Sequence, residues 1–296
     1  MYIIDEKKYL NQYKKGITKL LPNFFVPNIK PKVLHEAENI IFAGINIKPI
    51  DFDDNDDLNK YIEGIKEVLN EEIGGVYLEG QEKLNYNVLK TIEDNTNVKV
   101  FYGENIRIKY LPFILKEIYE ILNDNLQEKE ILILDSDIER IKKTIKTLSR
   151  HVAYITVAGL SEQNQNDLYN YILEETGISV FFSNNIERIA GNYNVIINFI
   201  DNMDYIINKL KKHSLVFDFS RGENEKLVNR PPLIKDFYFT LNNYEHKEFL
   251  TSKEISSSLF EALSLKQFNS ILLYAENELY STRRFAENFL RIKGRF

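Results

Sequence analysis

The sequence contains no cysteine and no tryptophan, and it has only 12 glycines and four histidines among its 296 residues. Without cysteine the chain cannot form a disulfide, a thiolate zinc site, an iron–sulfur cluster or a cysteine nucleophile. The four histidines form no H-x-x-x-H or H-E-x-x-H pair, so they do not predict a metal centre. The scarcity of glycine matters most, because loops that cradle phosphate groups depend on glycine.

The chain is acidic, with 38 Lys and Arg against 44 Asp and Glu and a formal net charge of −6. This balance predicts no general attraction to nucleic acid or to anionic lipid. No apolar run approaches the roughly 18–20 residues of a membrane span. The first residues are too highly charged for a secretory signal. We therefore expect a cytoplasmic protein that binds neither nucleic acid nor membrane.

Apolar, strand-like runs alternate with helical patterns along most of the chain. Ile131–Asp135 and Ala153–Gly159 are two such runs, separated by a helical pattern. This alternation is typical of βαβ units in a parallel sheet. It predicts the α/β class with two α/β domains, the second of which is a Rossmann-like parallel sheet. The predicted segments are an N-terminal α/β domain over 1–125, a Rossmann-like domain over 126–250 and C-terminal helices over 251–296.

The chain ends in two helical patterns, near Ser252–Leu265 and Glu278–Lys293. We expect these C-terminal helices to pack back on the first domain and leave a cleft between the domains. A homodimer formed through this segment is a further hypothesis.

The loop Asp51–Asp57 carries five carboxylates in seven residues. An EF-hand requires Gly at the sixth position and Glu at the twelfth, where this chain has Asp56 and Ile62. We therefore interpret the segment as a solvated loop that caps the following helix, with weak divalent-cation binding as the alternative.

The turn after Ile131–Asp135 lacks the glycines of a dinucleotide site. In a G-x-G-x-x-G fingerprint, glycine allows a tight turn and a close approach of the backbone to pyrophosphate. Here Asp135, Asp137 and Arg140 stand at those three positions. A helix N-terminus attracts an anion by about 0.3–1 kcal/mol, whereas a like charge about 4 Å away opposes it by about 4 kcal/mol. In standard geometry, repulsion therefore outweighs attraction.

We interpret Ser136 or Asp137 as the cap of the following helix, and a retained nucleotide site as the alternative. The candidate cofactor-binding residues in that alternative are Ser136, Asp137, Gly159 and Asn198. Asp218 and Arg221 follow a later strand, where ligands of open α/β sheets gather. Because Arg221 can hold a carboxylate or phosphate, this pair predicts a small anionic ligand. A structural salt bridge between the two residues is the alternative.

Five runs carry a resemblance to a known group of enzymes: KVFYGENIRIKYLPFILKEI, ILILDSDIERI, AYITVAG, NVIINFI and SLVFDFSRG. From about residue 98 onwards, their order resembles the Rossmann-type group of shikimate dehydrogenase, glutamyl-tRNA reductase and acyl-ACP reductase. The resemblance implies a substrate-side α/β domain, a Rossmann domain, closing helices and NAD(P). The chain departs from that group in its missing glycine fingerprint and in having no cysteine for thioester capture.

Two functional hypotheses follow. The first is a Rossmann-like protein with a degenerate dinucleotide site, which acts as a binding or assembly module, holds no cofactor and takes a small ligand in the interdomain cleft. The alternative is an NAD(P)-dependent oxidoreductase with an atypical phosphate loop. The sequence identifies no catalytic residue and no metal ligand for either.

Overall fold

A computed structural model describes most of the chain: residues 1–14, 31–37, 40–46, 49–201, 204–220, 230–241 and 252–290. The described residues divide into two compact units. The first consists mainly of Met1–Gly103 with the later segment Ser258–Gln267, and the second consists mainly of Glu104–Asn242 with Glu254–Ser257 and the chain from Phe268 onwards. The segment boundaries expected from the sequence, at 125/126 and 250/251, stay a prediction.

The first unit is built on a five-stranded sheet. Its elements are β1 (Tyr2–Ile3), α1 (Glu6–Tyr13), β2 (Lys32–Ala37), β3 (Ile40–Gly44), α2 (Asn55–Val68), β4 (Gly75–Leu78), α3 (Tyr86–Thr96) and β5 (Lys99–Val100). The strand order is β2-β3-β1-β4-β5, and all pairs are parallel except β2 with β3. The fold of this unit is therefore α/β with a mixed sheet.

The acidic loop before helix α2 caps the N-terminus of that helix. The Asp54 side chain accepts hydrogen bonds from the backbone N–H groups of Asp56 and Asp57, at 2.8 and 3.1 Å. The loop thus caps the helix, as the sequence predicts. One face of α2 carries Ile62 and Ile65, which are buried in the core of the unit.

The second unit is built on a nine-stranded sheet. From Glu104 onwards the elements are α4 (Glu104–Ile121), β6 (Glu130–Leu134), α5 (Ile138–Leu148), β7 (Tyr154–Ala158), α6 (Glu162–Thr176), β8 (Val180–Ser183), α7 (Ile186–Ile189), β9 (Val195–Asn198), α8 (Asp204–Ile207), β10 (Leu215–Asp218), β11 (Leu233–Thr240), β12 (Glu254–Ser256), α9 (Ser257–Ala262), β13 (Ser270–Ala275), β14 (Glu278–Ser281) and α10 (Thr282–Phe285). Most residues of α9 belong to the first unit.

The order of the parallel strands is β8-β7-β6-β9-β10-β11. Numbered from β6, this is the order 3-2-1-4-5-6 of the Rossmann fold, with the reversal of direction between β6 and β9. The predicted class, α/β with a Rossmann-like second unit, is confirmed by this topology. Beyond β11 the sheet becomes mixed, because β12, β13 and β14 pair antiparallel.

The end of the described chain differs from the sequence expectation. A helix is predicted from Glu278, but Glu278–Ser281 is the second strand of a hairpin, and helical residues begin at Thr282. Glu276 and Asn277 form its two-residue turn with φ of +50° and +64°. Positive φ at both turn residues matches the twist of the flanking strands. The strand Ser270–Ala275 is paired on both sides, and alternate side chains are buried.

Candidate functional site

Four polar or glycine residues lie at the carboxyl ends of neighbouring parallel strands and form what we call the polar edge. Asp135 and Gly159 directly follow β6 and β7, and Asn198 and Asp218 are the last residues of β9 and β10. Leu134 pairs with Ala158 on one side and with Asn198 on the other. Asn198 in turn pairs with Asp218. The carboxyl ends of β7, β6, β9 and β10 therefore lie side by side, across the point where ligands of Rossmann folds bind.

The turn after β6 is organised by Asp135, whose side chain is fully buried. Its Oδ1 accepts hydrogen bonds from the backbone N–H of Ser136 at 2.7 Å and of Asp137 at 3.0 Å. Arg140 adds a bidentate contact, with Nε 2.7 Å from Oδ2 and Nη2 2.7 Å from Oδ1. Asp137 caps α5 by accepting from the N–H of Arg140 at 3.1 Å, which confirms the interpretation as a helix cap.

The Arg140 guanidinium has two further contacts. Its Nη1 donates to Glu104 Oε2 at 2.9 Å, and its central carbon lies 4.9 Å from the Phe199 ring centroid. Burial lowers the pKa of Arg140, but the hydrogen bonds and charge of Asp135, followed by those of Glu104, raise it above its usual range. Arg140 is therefore a fixed cation between two carboxylates.

The carboxylates of Asp135 and Asp137 accept the backbone hydrogen bonds that a bound pyrophosphate would require. Rossmann dinucleotide sites present the backbone N–H groups of the first turn to the phosphates. Here the N–H groups of Ser136, Asp137 and Arg140 all donate to Asp135 or Asp137. Among the candidate cofactor-binding residues, Ser136 and Asp137 thus lie in one turn whose donors bind internal carboxylates.

Gly159 faces the same turn from the end of β7. Its φ is +102°, and a Cβ atom at this position would lie 2.8 Å from the backbone oxygen of Asp135. That distance is too short for a side chain of any size. The close approach to the Asp135 backbone is therefore sufficient to require glycine at this position, whether or not a ligand binds.

Asn198 and Asp218 are both fully buried and bonded to each other, with Asn198 Nδ2 2.8 Å from Asp218 Oδ1. Ser220 Oγ donates to the same oxygen at 2.6 Å. Lys235, on the neighbouring strand β11, donates to Asp218 Oδ2 and keeps about a third of its side chain exposed. The structure thus brings these two predicted site residues together, whereas Arg221 lies outside the described residues.

Asp236 forms a second buried carboxylate on β11. Its side chain accepts hydrogen bonds from the backbone N–H of Phe237 at 2.8 Å and from the Ser257 hydroxyl. Arg107 Nη1 lies 3.7 Å from the same carboxylate. Burial raises the pKa of Asp236, and the Arg107 charge with the Ser257 and Phe237 hydrogen bonds only partly offsets this. Arg107 lies 5.2 Å from the Phe219 ring centroid, and its Nε has no hydrogen-bond partner among the described residues.

Glu104, Arg107 and Lys235 were missed by sequence reasoning. Arg107 had a usable signal, because it interrupts the apolar face of a helix whose neighbours Ile108 and Leu111 are buried. Lys235 had one too, since a lysine within a mostly buried strand needs a partner. Within the described ranges, no group of three or more His, Asp or Glu side chains is placed to hold a metal ion. None of the helices described there has the length and apolar character to cross a bilayer.

Comparison with known proteins gives a coarse result. No family model and no curated protein matches the chain. Among solved structures, L-tryptophan dehydrogenase from Nostoc punctiforme is similar at 13% identity and a TM-score of 0.34, over 63% of this chain and 53% of that one. One of the subunits of dipicolinate synthase from Bacillus halodurans is similar at 14% identity and a TM-score of 0.34, over 55% and 57%.

In both comparisons the chain spans little more than half the length of the other protein. The Rossmann-like description therefore depends on the strand order and not on these two matches. The resemblance to the shikimate dehydrogenase group stays a prediction.

Proposed function

We propose that the second unit is a Rossmann-like binding or assembly module with a degenerate dinucleotide site, and that it does not act as an NAD(P)-dependent dehydrogenase. The observation that carries this proposal is the Asp135–Arg140–Glu104 cluster at the N-terminus of α5. It occupies, with the chain's own side chains, the donors that a bound pyrophosphate would need.

The energetic cost of exchanging these partners supports the proposal. A phosphate at the turn would displace Asp135 from its backbone donors while remaining within a few ångströms of that carboxylate. At about 4 Å and an effective dielectric of about 20, the repulsion is about 4 kcal/mol per charge pair. If Arg140 turned to the phosphate, Asp135 would stay buried without its partner, at a cost of about 3–5 kcal/mol.

The test is calorimetric titration of the full chain with NAD⁺, NADH, NADP⁺ and NADPH. The matched variant is Ser136→Tyr, because the exposed Ser136 side chain can be enlarged without disturbing the core. We expect no binding tighter than millimolar at this turn, so the wild type and the variant should give the same isotherms. Micromolar binding that the variant abolishes would overturn the proposal and favour the oxidoreductase with an atypical loop.

The small anionic ligand expected near Asp218 remains part of the proposal. Its support is the partly exposed Lys235 side chain, whose ammonium lies beside the buried Asp218 carboxylate. That ammonium is a donor for a carboxylate or phosphate at the polar edge.

A further inference from the structure

A cavity of about 500 Å³ lies in the second unit, away from the polar edge. It is formed by one face of α4 and by the chain at the ends of α5 and α6. Helix α5 begins at the Asp135 turn and ends at Leu148, so the cavity lies at the opposite end of this helix. We call it the basic cavity, after the side chains Lys109, Lys116, Lys146, Arg150 and His151 that line it.

The charge of the basic cavity opposes that of the whole chain. Four lysine and arginine side chains line it with a single carboxylate, Glu175, which binds Lys146 at 2.9 Å. Among the residues that the structure describes, Lys116 has only an exposed contact of 3.7 Å with Glu120. The side chains of Arg150 and His151 make no hydrogen bond or ion pair with the described residues. In a chain of net charge −6, this local excess of cations favours an anionic ligand.

An exposed aromatic ring lies among these cations. Phe113 lines the cavity from α4 and is 56% exposed. Lys109 and Lys116 are four residues before it and three residues after it, so all three share one face of the helix. A solvent-exposed ring between cations offers a stacking surface for a planar ring system that carries anionic groups.

We propose that the basic cavity binds a nucleoside phosphate, with the base stacked on Phe113 and the phosphates held by Lys116 and Arg150. Its volume is within the range of about 300–1,000 Å³ that is usual for small-molecule sites. Arginine and lysine are the side chains that bind phosphate oxygens most strongly. This site is independent of the proposed function, because it uses no residue of the polar edge.

The surroundings favour a small ligand over a nucleic acid strand. A second cavity of about 280 Å³ adjoins the first and shares Lys116, Arg150 and His151 with it. Its lining adds the carboxylates of Glu120 and Asp124. Both carboxylates have cationic neighbours, Asp124 with Lys129 at 2.7 Å and Glu120 with Lys116 at 3.7 Å. Within the described part of the chain, the second cavity therefore has no local excess of lysine and arginine for further phosphates, which favours a single nucleotide over a polyanionic chain.

The experiment is calorimetric titration of the full chain with ADP, pyrophosphate, adenosine and a single-stranded oligoribonucleotide. We expect ADP to bind more tightly than pyrophosphate or adenosine alone. Lys116→Gln and Arg150→Gln should each weaken ADP binding about tenfold, because each removes one charged contact to phosphate. Phe113→Ala should weaken it by a similar factor through the loss of stacking.

The controls match each change elsewhere on the surface. Lys142→Gln removes the same charge from α5 at a residue that does not line the cavity, and Phe181→Ala removes an exposed ring from β8. Both should leave ADP binding unchanged, as should Ser136→Tyr.

Absence of ADP binding, or binding that Lys116→Gln and Arg150→Gln do not weaken, would overturn the proposal. Pyrophosphate binding as tight as that of ADP would overturn the nucleoside part of it. Tighter binding of the oligoribonucleotide through the same residues would replace it with a nucleic-acid surface.

Discussion

Asp135 and Asp236 are both buried carboxylates near an arginine, yet their surroundings differ. Asp135 has two guanidinium contacts of 2.7 Å and two backbone donors. Asp236 has its arginine at 3.7 Å, and it depends on Ser257 and on backbone N–H groups. The first pair holds a turn in one conformation, and the second leaves a carboxyl whose pKa is raised. The same two residue types therefore form two different pairs. Asp135 and Arg140, which we call the clamp, form a bidentate ion pair that holds a turn, whereas Asp236 and Arg107 lie farther apart and the pKa of Asp236 is raised.

The largest effect should come from breaking the clamp. Arg140→Met leaves the Asp135 carboxylate buried without its cationic partner, so we expect the free energy of unfolding to fall by about 3–5 kcal/mol. Urea denaturation measures this loss. The double variant with Asp135→Asn should recover part of it, because the buried charge is removed. A single-variant loss below about 1 kcal/mol would show that Arg140 does not clamp the turn.

A smaller loss of stability should follow from adding a side chain at Gly159, which faces the backbone of Asp135 from the end of β7. Gly159→Ala places a methyl group 2.8 Å from the Asp135 oxygen at a φ of +102°, and we expect a loss of about 3 kcal/mol. Gly177→Ala is the control, since its φ is +71° but no atom lies within 4 Å of the added Cβ. Its loss should be about 1 kcal/mol from backbone conformation alone. Equal losses in thermal or urea denaturation would contradict the close contact.

The smallest effect concerns the second carboxyl and depends on pH. Because the pKa of Asp236 is raised on folding, the folded chain binds more protons than the unfolded chain once the pH exceeds about 4. The contribution of Asp236 to the free energy of unfolding is therefore fully present below about pH 4. It is lost as the pH rises through the pKa of the folded state, by about 1.4 kcal/mol per pH unit.

Asp236→Asn removes this titration. The difference in unfolding free energy between wild type and variant should shift in favour of the variant from about pH 4 upwards. Urea denaturation at several pH values measures it. A difference that does not change with pH would contradict the raised pKa of Asp236.

The sequence predicts much of the polar edge but not its internal contacts. The buried run Ile131–Asp135 and the capping residue Asp137 are local signals, so strand, turn and helix follow from them. The contact of Arg140 with Glu104 joins residues far apart in the chain, and it depends on how α4 packs beside α5. That Lys235 reaches Asp218 depends on the parallel register of β10 with β11. No short-range pattern encodes either contact.

The hairpin at the end of the sheet was missed for a different reason. Its turn, Glu276-Asn277, lacks the glycine that marks two-residue hairpins. Arg230 binds both Glu276 carboxylate oxygens, at 2.6 and 3.1 Å, and thereby stabilises a residue that rarely adopts positive φ. Such support from outside the turn cannot be read from the turn's own residues.

The pairing of β6 with β9 has a consequence for the order of folding. The β13–β14 hairpin closes a two-residue loop and can form within about 1–10 μs. Leu132 meets Ile196 only after the chain between them, which contains two helices and two strands before the short turn of α7, has been brought back to the sheet. Such non-local pairing is slow, because its loop-closure entropy is spent before its contacts form. We therefore expect the polar edge to assemble later than the hairpin at the margin of the sheet.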